Sequence, residues 1–137
     1  MSHALSFTVA SPVRRGRSGV IALWVVQIAL AGLFLLAGGS KLLGAPAMVT
    51  LFNTIGVGQW FRHVTGFIEV GSAVALLVPS LAVYGALALV PTMIGAVAAE
   101  LFIVGDSAVP PAVLLLGAVA VVWARRRELP SALSIAR

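Results

Sequence analysis

The chain has 137 residues, 61% of them hydrophobic and only 9% charged, with a mean hydropathy of +1.11 and a net charge of +5. Soluble domains carry roughly 25% charged residues, so a water-soluble globule of this length is excluded and a single membrane-embedded domain is indicated. The positive charge is not a nucleic-acid footprint, because Arg14, Arg15 and Arg17 precede the first apolar run and Arg125, Arg126 and Arg127 follow the last, the pattern of basic residues left on the cytoplasmic side of spanning helices.

Residues 1–18 are polar and basic and read as a cytoplasmic tail. The first apolar run, Gly19 to Ser40, is broken only by Gln27. At 1.5 Å rise it covers about 33 Å, enough for a hydrocarbon core of about 30 Å. A secretory signal peptide is the rival reading, but its apolar region is usually about 7–15 residues and further apolar runs follow here. Residues 45–59 place Met48, Leu51, Phe52 and Ile55 at helical spacing among Thr50, Asn53 and Thr54. That is a short amphipathic segment suited to the membrane interface, with Pro46 in its first turn.

Trp60 and Phe61 mark the next boundary, and a second span is expected from about Trp60 to Val78. The third runs from about Leu81 to Val104 with Pro91 inside it, and the fourth from about Val109 to Trp123. Asp106 or Ser107 can cap the last helix. Neither 44–59 nor 105–108 contains lysine or arginine, so both belong outside and both termini inside. The expected fold is an all-α integral membrane protein. It is a four-helix transmembrane bundle over 19–127, N-in and C-in, with the amphipathic segment between the first two spans and a cytoplasmic tail at 128–137. Small residues at packing distance include Gly71 with Ala75, Ala82 with Ala86, and Gly95 with Ala99.

With that topology the charges collect in the outer half. Lys41 ends the first span, Arg62 and His63 open the second, and Glu100 sits about one turn inside the end of the third. Glu69 lies about 13 Å below Trp60 by helix rise, near the midplane. A carboxylate there costs roughly 2.5–3.5 kcal/mol and needs a partner facing the bundle interior. These residues are expected to line an outward-opening polar pocket: Lys41, Arg62, His63, Glu69 and Glu100, lidded by 45–59. Plainer readings stand beside it. Lys41 and Arg62 can snorkel to headgroups, Glu100 and His63 can be interfacial, and a buried ion pair can serve only to fix helix register. By depth, Lys41 meets Glu100 more easily than Glu69.

There is no cysteine, no phosphate-binding glycine motif and no metal-ligand spacing. A haem held by two histidines is disfavoured, since the only histidine besides His63 is His3 in the tail. No nucleophile–base pair points to a stand-alone enzyme.

Gly32-Leu33-Phe34 leading to Gly38, Ser40 and Lys41, then Gly66 and Glu69, Gly95-Ala96 and Gly105-Asp106, together resemble the DoxX-like family of small bacterial membrane proteins over about residues 20–127. The resemblance implies a four-helix membrane bundle in the bacterial cytoplasmic (inner) membrane. It also implies an accessory or anchoring subunit of a quinone-linked oxidoreductase system, since some members resemble subunits of thiosulfate–quinone oxidoreductases. No covalent cofactor is implied; a quinone is the candidate ligand, with the bilayer, an oxidoreductase partner subunit or a second copy as partners. Where many relatives carry a histidine after Gly95-Ala96-Val97, this chain has Glu100, so histidine-dependent activity is not implied. The alternatives are a binder or transporter of small amphiphiles, or a purely structural membrane-assembly subunit.

Overall fold

The computed structural model describes residues 15–129; the expected tails lie mostly outside that range. The described residues form only helices: α1 (Arg17–Leu42), α2 (Pro46–Ile55), α3 (Gln59–Leu76), α4 (Ala82–Ala99) and α5 (Val109–Arg125). α4 runs on into a π-helical turn, Glu100–Val104, and α5 ends in a 3-10 turn, Arg126–Glu128. Three of these stretches are long and apolar enough to cross a membrane: Arg17–Leu42, Ala82–Val104 and Val109–Glu128. They correspond to the first, third and fourth expected spans, and α1 begins two residues before Gly19. The expected second span is the helix α3, whose sequence carries Arg62, His63 and Glu69 and is correspondingly less apolar.

The helices pack in a closed order, α1 on α3, α3 on α4, α4 on α5 and α5 back on α1, with α2 lying against α3 and the π turn. Phe34, Leu76, Leu89 and Val121, one large side chain from each long helix, are fully buried among Ala31, Ala73, Ala86 and Ala118. Lipid tails are as apolar as these side chains, so burial alone supplies little drive to associate; close packing of small residues does. α1 and α3 approach closely. A Cβ built on Gly38 would stand 2.9 Å from the Gly66 carbonyl oxygen, and one on Gly66 would stand 3.1 Å from the Gly38 carbonyl oxygen.

The small-residue pairs expected from spacing are only partly used. Ala82 and Ala86 are buried, whereas Gly71 and Gly95 are exposed and a Cβ on either would meet nothing within 4 Å. Helical spacing marks a face, but it does not say whether protein or lipid covers that face.

One end of the last connection is built as the residue types require. The π turn closes with the Gly105 N–H donating to the Glu100 carbonyl at 2.8 Å, and Gly105 takes φ 76°, the left-handed conformation that glycine adopts without cost. Neither Asp106 nor Ser107 is the N-cap of α5, which is Ala108; Ser107, one residue earlier, accepts from the Val109 N–H at 3.3 Å.

Candidate functional site

Close contact of α1 with α3 sets the first element of the site. The two helices run antiparallel, with Gln27 beside Leu76 at one end and Gly38 beside Gly66 nearer the other. Side chains lean toward their own helix N-terminus. Lys41 therefore leans back along α1 and Glu69 back along α3, and because the helices are antiparallel the two converge across the glycine contact. The Lys41 Nζ donates to Glu69 Oε1 at 3.0 Å and to Oε2 at 2.8 Å. Side-chain exposure is 13% for Lys41 and 2% for Glu69, so the pair is held inside protein. Lys41 thus meets Glu69 and not Glu100, the acid favoured by depth. Depth alone omits the lean of the side chains and the backbone approach that Gly38 and Gly66 permit.

Arg62 takes a different role from the one expected. It is 7% exposed, and its Nη1 donates to the Lys41 carbonyl in the last turn of α1, which also accepts from the Gly44 N–H at 3.3 Å. Its Nε donates to Gln59 Oε1 at 2.7 Å, and its Nη2 stands 3.2 Å from His63 Nε2. Arg62 therefore neither snorkels nor lines the pocket; it ties the end of α1 to the first turn of α3. His63 is exposed and likewise lies outside the cavity lining.

Lys41, Glu69 and Glu100 all line one open cleft of about 1150 Å³. Its walls come from α1 (Leu33, Leu36, Ala37), α3 (Val64, Ile68) and α4 (Pro91, Gly95, Ala96), and it is largely apolar where a polar pocket was expected. Met48, Leu51, Phe52 and Ile55, the apolar stripe of α2, cover one side of it. α2 is held there by the Gln59 amide nitrogen, which donates to the Val49 carbonyl at 3.0 Å and to Asn53 Oδ1 at 2.8 Å. An edge-on contact between Phe52 and Phe61, with ring centroids 5.9 Å apart, adds to this. Glu100 enters the cleft from the start of the π turn. Its Oε2 is buried and has no hydrogen-bond partner among the described residues. No group of metal-ligating side chains forms among the described residues.

A second buried polar cluster, at the other end of the bundle, was not anticipated. The Gln27 amide nitrogen donates to the Leu76 carbonyl at 2.7 Å, and Gln27 Oε1 accepts from Arg125 Nε at 2.7 Å. Arg125 Nη1 pairs with Glu128 Oε1 at 2.8 Å, and the guanidinium lies 5.6 Å from the Trp24 ring centre. The signal was present in the sequence: a lone glutamine in an apolar run requires a partner at its own depth, and the arginine block lies at that end.

A model of the DoxX-like family matches residues 25–124, which takes in α2, α3 and α4 whole and most of α1 and α5. Comparison with curated proteins and with solved structures gives no match.

Proposed function

The chain belongs to the DoxX-like family, and from that premise we propose that it is a four-span membrane protein that receives the head of an amphiphile in the cleft between α1, α2 and α4. In this reading α3 is the fourth spanning helix, both termini are cytoplasmic, and the Lys41 end faces outward. The basic residues flanking the bundle at Arg14–Arg17 and Arg125–Arg127 support that orientation. Burial of Arg62 and Glu69 against protein makes a spanning position for α3 tolerable despite its charges.

The observation that carries the reading is the cleft itself. About 1150 Å³ of mostly apolar space with three charged side chains on its wall matches an amphiphile better than a wholly polar or a wholly apolar ligand. The redox form of this function is an accessory or anchoring subunit of a quinone-linked oxidoreductase system in the bacterial inner membrane. There the isoprenoid tail would lie along the apolar wall and the ring would accept from the remaining Lys41 N–H. Purification in native nanodiscs, followed by solvent extraction and mass spectrometry, tests both levels. A stoichiometric amphiphile that is lost from Lys41→Ala and Glu69→Gln is the expected result, and a quinone or a co-purifying oxidoreductase selects the redox form. The same bulk lipid from the wild type and both variants would remove the cleft from the function.

A further inference from the structure

We infer that the amphiphile this cleft takes carries a cationic head, a protonated amine on a hydrocarbon body, seated on Glu100; the inference rests on the amphiphile-binding reading of the cleft. Three charged side chains face the cavity, two carboxylates and one ammonium. Lys41 and Glu69 satisfy each other, with both carboxylate oxygens accepting from the same Nζ. Glu100 is left as the unbalanced charge, and its Oε2 is buried without a donor among the described residues.

The hydroxyls on the wall are already engaged elsewhere, and Lys41 is turned to Glu69. Ser40, Thr65 and Thr92 direct their hydroxyl protons to backbone carbonyls one turn back in their own helices, at 2.7 to 3.1 Å. The other cation at this end, Arg62, lies outside the lining and is engaged with the Lys41 carbonyl and Gln59. A buried carboxylate in apolar surroundings is costly unless paired and hydrogen-bonded. An ammonium head supplies both the donor and the charge, turning a lone carboxylate into a second ion pair beside the first. An anionic head would face Glu100 as a like charge in a poorly screened cavity. A hydroxyl head would give only a bond between a charged and a neutral group, weaker than one between opposite charges.

The test uses the full chain in nanodiscs and three probes with one tail: dodecylammonium, dodecanol and dodecanoate. Binding is read as saturable uptake above that of nanodiscs without protein. Dodecylammonium is expected to bind saturably at about one per chain. Dodecanol is expected to bind about tenfold more weakly, in line with the difference between ion-paired and neutral hydrogen bonds, and dodecanoate without saturation. Glu100→Gln is expected to lower dodecylammonium affinity about tenfold and leave dodecanol unchanged, while Glu100→Asp keeps the preference for the amine. Equal affinity for dodecylammonium and dodecanol, or no response to Glu100→Gln, would overturn the assignment and leave the cleft as an amphiphile site of another selectivity. Failure of all three probes to saturate would overturn both the assignment and the cleft reading beneath it.

Discussion

The two ends of the bundle solve the same problem with opposite completeness. At the Arg125 end, the arginine, Gln27, Glu128 and the Leu76 carbonyl form a run of bonds at 2.7 to 2.8 Å that joins α1, α3 and α5. At the Lys41 end, one ion pair is complete, one arginine ties down the end of α1, and one carboxyl oxygen beside a large cleft has no partner among the described residues. A fully satisfied polar cluster fixes how helices sit against each other. One that keeps an unmet group beside open space is equipped to recognise something else.

The largest effect is expected from breaking the complete pair at the Lys41 end. Glu69→Leu leaves the Lys41 ammonium buried without its partner and should cost about 3–5 kcal/mol in reversible unfolding in mixed micelles. The double variant Lys41→Met with Glu69→Leu should recover most of that loss, because two apolar side chains then fill the space with no charge left over. If the double variant is as unstable as the single one, the ion pair is not the reason Glu69 is needed. If the double variant also keeps full function, the pair serves only helix register and the cleft reading loses its charged floor.

Next comes the contact that lets the pair form. Gly38→Ala puts a methyl 2.8 Å from the Val70 side chain and 2.9 Å from the Gly66 carbonyl. Backbone cannot yield as a side chain can, so α1 and α3 must separate, at about 1–3 kcal/mol. Gly39→Ala is the matched control. Its methyl would meet nothing within 4 Å, and the better helix propensity should leave stability unchanged or raised by up to about 1 kcal/mol. Equal costs for the two would mean that α1 and α3 do not touch through Gly38.

Why one glycine matters and its neighbour does not was only half legible in the sequence. Composition and the spacing of apolar residues were enough for the helices, for the short amphipathic α2 and for three of the charges on one cleft. The partner of Lys41 was not, because ranking residues by depth treats each helix as a vertical rod and ignores which way its side chains lean. Arg62 was misplaced for a related reason. Its position near a helix end suited snorkelling equally well, and only the ending of α1 at Leu42 brings a last-turn carbonyl within its reach. Gln27 and Arg125 lie 98 residues apart in sequence, and no local pattern links them.

That long-range bond gives the next effect in size, at the opposite end. Gln27→Leu removes the partner of both the Leu76 carbonyl and Arg125 Nε. The expected cost is about 1–2 kcal/mol, less than for Glu69→Leu because Arg125 keeps its bond to Glu128. Amphiphile uptake in the cleft should not change. A loss of uptake would show that the two ends are coupled through α1 and not independent.

The smallest change in stability among the charged residues, and one of opposite sign to the loss at Glu69, is expected at Glu100. The carboxyl has a buried oxygen that no donor among the described residues meets, so the folded protein already bears a desolvation cost there. Glu100→Leu should therefore hold stability or raise it by up to about 1 kcal/mol in the same unfolding assay that registers the loss at Glu69→Leu. One cleft, two glutamates and the same replacement would then give opposite signs, as expected if one acid holds the bundle together and the other is kept for a ligand. A loss at Glu100→Leu comparable to that at Glu69→Leu would mean that Glu100 has a partner within the protein. The contrast between the complete end and the incomplete one would then disappear.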